Sequence, residues 1–102
     1  SFFKNPIISK ELFEILKEKH PAMPAYPAEE NTMKVPAGWL IEQAGWKGKR
    51  IGNAGSYEKQ ALVLVNHGGA SGTEIWNLAT KIIESVNDQF QIRLNPEVNI
   101  WR

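Results

Sequence analysis

Cysteine is absent from this chain of 102 residues. That excludes disulfides, thiolate metal sites and a cysteine nucleophile. Histidine is scarce: His20 and His67 are the two present, too few for a zinc site unless carboxylates supply most of the ligands. An excess of one charge sign is missing as well. Twelve Lys and Arg against eleven Asp and Glu leave a net charge of +1, so bulk electrostatic attachment to nucleic acid or to an anionic membrane has no basis. No apolar run approaches the ~20 residues that cross a bilayer, no secretory signal pattern is visible, and there are no internal repeats. What remains is ordinary globular composition, 42% hydrophobic and 23% charged, in a length that supports one core and has no room for a second.

The chain opens on Ser1-Phe2-Phe3-Lys4-Asn5-Pro6. A domain seldom exposes two consecutive phenylalanines at a free end, so the chain is expected to be a piece of a longer one. Residues 1–8 read as a short extended segment interrupted by Pro6. From Ser9 the pattern turns helical, with Ser9 as N-cap, Glu11 in the first turn and Leu12, Phe13, Ile15 and Leu16 on one apolar face. Pro21 stops that helix after His20. Residues 21–32 hold three prolines in their first seven positions and read as an ordered loop of polyproline character. Met33–Val35 reads as a brief strand. A second helix follows from Pro36, carrying Trp39, Leu40, Ile41 and Ala44 and ending at Gly45. Residues 45–55, with four glycines and three cations, read as a turn-rich loop.

In the second half, Gln60–Val65 is a continuous apolar run of strand length. Ser71-Gly72-Thr73-Glu74 is a capping box. Ile75, Leu78, Ala79, Ile82 and Val86 then form one core-facing helical stripe. Phe90, Ile92 and Leu94 alternate with Gln91 and Arg93 as a half-buried strand does, and Val98 and Ile100 resume the alternation after Asn95-Pro96. Strand, helix, strand predicts a right-handed crossover between parallel strands. The expected fold is α+β: one small domain, a short sheet with helices packed against it.

For chemistry, each signal has an ordinary alternative. Gly68-Gly69-Ala70-Ser71-Gly72 stands where phosphate loops sit, but it lacks the P-loop lysine and the G-x-G-x-x-G spacing, so a turn plus a cap accounts for it. Lys47, Lys49 and Arg50 lie among glycines, either as a solvated basic loop or as a phosphate contact. Tyr26, between Pro24 and Pro27, either packs its loop or offers a ring face and hydroxyl to a ligand. Glu97, after Pro96, is an edge carboxylate or a functional one. Asn95 and Asn99 are turn and edge residues by default, His67 a turn residue, and His20 a helix C-terminal residue. Nothing in these residues by themselves assembles a nucleophile, base and acid.

Three stretches together carry a resemblance: SFFKNP at the start, AGWLIEQAGWKGKRIGNAG with SYEKQALVLVN in the centre, and LNPEVNIW at the end. In this order, and over nearly the whole chain, they resemble the C-terminal domain of the UDP-N-acetylenolpyruvoylglucosamine reductases, flavoenzymes of peptidoglycan precursor synthesis. The resemblance implies a cytoplasmic enzyme of three domains. Two upstream domains hold FAD, NADPH is the reductant, and the third domain closes over the substrate, UDP-N-acetylglucosamine enolpyruvate. Hydride added to the enolpyruvyl group gives a lactyl ether.

By the same resemblance Ser1 matches the serine that delivers a proton to the substrate carbon, and Glu97 the glutamate that assists there. Asn5, Tyr26, Lys47 and Gln60 match residues that hold the UDP-sugar. The chemistry suits these types. Hydride addition leaves enolate character beside the substrate carboxylate, basic enough to take a proton from an alcohol. A protonated glutamate nearby can donate a hydrogen bond to that charge, and Lys47 and Tyr26 suit a diphosphate as charge and hydroxyl donor. With the flavin domains upstream, residues 1–102 alone are expected to bind no FAD and to show no reductase activity. The competing expectation is a stand-alone nucleotide-sugar or anion-binding module that uses the Lys47–Arg50 loop without redox chemistry. A purely structural interaction domain would make Ser1, Asn5 and Glu97 all incidental.

Overall fold

Local signals set the helix boundaries. In the computed structural model, which describes residues 2–57, 59, 64–66, 68–69 and 71–97, strand β1 (Ile7–Ser9) runs directly into helix α1 (Lys10–Lys19). The Ser9 hydroxyl accepts from the Leu12 amide at 3.0 Å, which satisfies one of the helix's orphan donors. The helix closes on His20, just before Pro21. Strands β2 (Tyr26–Pro27) and β3 (Thr32–Lys34) follow, then helix α2 (Ala37–Gln43) after Pro36. Gly45 takes φ +88° past the end of α2, the left-handed turn that glycine adopts without strain.

Strands β4 (Arg50–Ile51), β5 (Ala54–Ser56) and β6 (Leu64–Asn66) precede helix α3 (Gly72–Phe90). That last helix starts on a complete capping box: the Ser71 amide donates to the Glu74 carboxylate at 2.8 Å and the Glu74 amide to the Ser71 hydroxyl at 3.1 Å.

The strands form two three-stranded antiparallel sheets, ordered β1-β3-β2 and β4-β5-β6. Helix α1 lies against β1 and β3, α3 crosses β5, and α2 packs on α3. One core joins them, with Ile8 and Leu16 from the first sheet and its helix, Leu40 and Ile41 from α2, Ala54 from β5, and Leu78, Ile82, Val86 and Phe90 from α3. The α+β architecture is the one the sequence predicts. The stripe on α3 is also as expected, since Leu78, Ala79, Ile82 and Val86 are buried and Ile75 partly so.

Four details differ from the sequence expectation. The Pro-rich segment read as a loop carries strand β2, which pairs with β3 through Tyr26 and Pro27. The turn-rich loop contains a β-hairpin: Ile51 pairs with Ala54 across Gly52-Asn53, and Gly52 at φ +59° supplies the first turn position. Ile15 is 52% exposed, because the buried face of α1 centres on Leu16, from which residue 15 is rotated by about 100°.

Among the described residues no parallel strand–helix–strand unit forms. Helix α3 extends through Phe90 and is capped by Gln91 in the left-handed conformation, and residues 92–95 join neither sheet. Beyond α3 the chain returns to the N-terminal segment, where Pro96 forms an antiparallel bridge with Phe3. The neighbour of β6 is β5, a strand close in sequence whose pairing closes a short loop at small entropic cost. Residues 60–63 of the expected strand, and Val98 and Ile100, lie outside the described residues.

Candidate functional site

Ser1, Gln60, His67 and Asn99 lie outside the described residues, so the site is built from the others. The N-terminal segment is clamped by the returning chain. The Lys4 amide donates to the Asn95 carbonyl at 2.9 Å, and the Glu97 amide donates to the Phe2 carbonyl at 2.7 Å. Phe3, 1% exposed, faces the core, while Phe2 stacks edge-on against Phe3 and Trp76 at 5.0 and 5.5 Å between ring centroids. Burial of Phe3 and these ring contacts fix the segment that follows Ser1, and the pairing around the Phe3–Pro96 bridge sets the exposed Glu97 opposite Phe2.

Asn5 has a structural task that its sequence position does not reveal. Its Oδ1 accepts from the Ala37 amide at 2.8 Å, capping α2 from 32 residues away. That bond fixes the amide orientation and leaves Nδ2 without a partner among the described residues. Asn5→Ala is expected to lower stability by about 1 kcal/mol, the usual cost of a lost cap. Asn5→Asp keeps the acceptor and should stay near the parent value, which urea unfolding of the two variants will read.

The three cations of the glycine-rich loop separate once their partners are known. Lys49 lies over the Trp46 ring at 5.0 Å from its centroid. Arg50 donates from Nε to the Gly52 carbonyl at 2.7 Å and from its guanidinium to Asn53 Oδ1 at 3.3 Å, bracing its own hairpin turn. Among the described residues Lys47 meets only Glu42, at 3.7 Å and with both side chains well exposed. Such a pair contributes about 0–1 kcal/mol and is readily exchanged for a ligand anion. Lys47 is therefore the member of the cluster most free to turn to a ligand.

Tyr26 projects from β2, 61% exposed, into a groove of ≈ 690 Å³ lined by Ile7, Tyr26, Ala28, Glu29, Thr32 and Lys34 among others. Lys47 is not among its lining residues. The turn leading into β3 is held by two backbone bonds, from the Ala28 amide to the Thr32 carbonyl at 2.9 Å and from the Thr32 amide to the Glu29 carbonyl at 3.1 Å, and by the Thr32 hydroxyl donating to the same Glu29 carbonyl. The groove is a product of strand register. No spacing in the sequence brings Ile7, Tyr26 and Lys34 together.

A dinucleotide phosphate does not fit the start of α3. There the Ser71 amide already holds the Glu74 carboxylate, which would also repel an anion. Among the described residues no three acidic or imidazole side chains come together to hold a metal ion, and no helix is long and apolar enough to cross a membrane.

Comparison with known proteins bears on what this arrangement serves. Residues 1–101 match the family model for the C-terminal domain of UDP-N-acetylenolpyruvoylglucosamine reductase. The chain is 55% identical over 98 residues to the reductase of that name from Porphyromonas gingivalis, covering 96% of this chain and 29% of that protein. It is 52% identical over 101 residues to the one from Bdellovibrio bacteriovorus, covering 99% of this chain and 30% of that one. The match to the one from Pseudomonas savastanoi is 48% over 101 residues, again 99% and 30%. The chain thus spans about 30% of the length of the curated relatives it matches.

Proposed function

Because this chain belongs to the family of UDP-N-acetylenolpyruvoylglucosamine reductase C-terminal domains, we propose that it is the substrate-binding and proton-delivering domain of such a reductase. The enzyme would use FAD and NADPH, held by other domains, to convert UDP-N-acetylglucosamine enolpyruvate to UDP-N-acetylmuramate for peptidoglycan. The hydride source lies outside this chain, whose contribution is to hold the UDP-sugar and to supply the proton. The observation that carries the reading is the clamp between residues 2–4 and 95–97. It draws Glu97 to the segment that follows Ser1, which supports a shared proton-delivery site.

In this reading Ser1 donates its hydroxyl proton to the substrate carbon as enolate character develops. Glu97 stabilises the neighbouring carboxylate by a hydrogen bond and returns the proton lost by the serine. Asn5 presents Nδ2 to the diphosphate while its Oδ1 stays on α2. Tyr26 donates its hydroxyl, Lys47 exchanges Glu42 for phosphate oxygen, and Gln60 completes the sugar contacts. The stand-alone anion-binding alternative loses force, because Lys49 and Arg50 are engaged within the chain.

Titrating the labelled chain with UDP-N-acetylglucosamine should shift the amide resonances of Tyr26, Lys47 and Gln60. Affinity will be weak for part of a site. Saturation with no shift at any of the three would remove the contact assignments. Asn5→Asp, stable but lacking the donor and bringing a carboxylate toward the diphosphate, should bind more weakly than the parent.

A further inference from the structure

Strand β3 is the middle strand of the first sheet, and its register sets Lys34 directly opposite both Ile7 of β1 and Tyr26 of β2. Residues opposite one another in an antiparallel ladder project to the same side. Ile8 and Met33, one position along, turn inward: Ile8 is 9% exposed and Met33 packs against the core. Ile7, Lys34 and Tyr26 therefore form a row on the outer face, and all three line the same groove.

We propose that Lys34 is a second cationic contact for the diphosphate of the UDP-sugar, acting beside Tyr26. The proposal rests on the reading of Tyr26 as a substrate contact. Backbone pairing on both sides holds the Lys34 Cα in place. The next residue, Val35, is fully buried and donates its amide to the Pro6 carbonyl at 2.9 Å. Only the side chain has freedom, so little ordering is needed when it meets an anion. Among the described residues the Lys34 ammonium and the Tyr26 hydroxyl have no ion-pair or hydrogen-bond partner.

Glu29 and Glu30 line the same groove. Their charge makes the groove two-ended, steering phosphate toward Lys34 and offering acceptors to sugar hydroxyls. An ammonium, a phenol hydroxyl and two carboxylates in ≈ 690 Å³ match a ligand that is anionic at one end and a polyol at the other, in a volume usual for small-molecule sites.

The test uses a full-length reductase carrying this domain, with Lys34→Met, Lys34→Arg and Tyr26→Phe compared for binding of UDP and of uridine. Lys34→Met should raise the Kd for UDP by roughly tenfold or more, the loss of one charge-assisted hydrogen bond. Its effect on uridine should be negligible, and the gap to the parent should narrow as salt screens the charge. Lys34→Arg should recover most of the affinity. If Lys34→Met leaves UDP binding unchanged while Tyr26→Phe weakens it, the proposal for Lys34 falls and the reading of Tyr26 stands. If neither variant affects UDP, the groove is not the diphosphate site at all. Equal weakening of UDP and uridine would show a structural role and also overturn the proposal.

Discussion

Replacing Glu97 by glutamine in a full-length reductase carrying this domain is expected to lower kcat by roughly two to four orders of magnitude, the usual share of a positioned acid–base group. The change preserves shape and hydrogen-bonding capacity, so the loss isolates the proton. KM for the UDP-sugar should move little, since the role assigned to Glu97 arises as charge develops in the transition state. The location supports both halves of that split. The Glu97 backbone is held to the Phe2 carbonyl at 2.7 Å, and Pro96 beside it is anchored by the bridge to Phe3. The side chain itself is exposed. A variant with parental kcat would make Glu97 an ordinary edge carboxylate. A variant that lost activity together with stability would point to folding rather than chemistry.

The largest effect on stability is expected at Phe90. Its fully buried ring ends α3 and packs on His20, the C-cap of α1, at 4.8 Å, and on Trp39 of α2 at 5.8 Å. All three helices therefore meet at one side chain. Phe90→Ala should cost about 3–5 kcal/mol through lost burial and the cavity left behind. The lost ring contacts, worth roughly 0.5–1.5 kcal/mol each, belong to that total. Against a domain stability of about 5–15 kcal/mol, this is enough to leave the variant marginal. Ile15→Ala, at a position 52% exposed, is the comparison and should change stability by about 0.5 kcal/mol or less. Urea unfolding of both variants reads the difference. Similar costs at the two positions would contradict the packing of Phe90 between the helices.

The same residue shows where sequence reasoning held and where it failed. Phe90, Ile92 and Leu94 alternate with polar residues, and the structure buries all three while exposing Gln91 and Arg93. The alternation thus predicted burial correctly but the ladder wrongly. A helix end, a left-handed residue and a segment outside the sheets satisfy the same inward and outward pattern as a strand. The hairpin at Gly52-Asn53 was written in a two-residue turn signal, but glycines on either side of it blurred the signal into a loop. The capping role of Asn5 is not legible in its neighbours because its partner, Ala37, is far along the chain.

By itself the sequence determined what depends on a few neighbouring residues. Ser9 and Ser71 start helices, Pro21 and Gly45 stop them, the α3 stripe sets its buried face, and the quoted motifs identify the family. These signals are complete within one or two turns of chain, so no distant contact is needed to interpret them. Only the tertiary structure decided how segments pair. It made the sheets antiparallel, gave Asn5 to α2, occupied Lys49 and Arg50 within their own loop, and returned Glu97 to the segment after Ser1. Each of those outcomes depends on which backbone groups find partners across the fold, a competition among distant segments that adjacent residues do not encode.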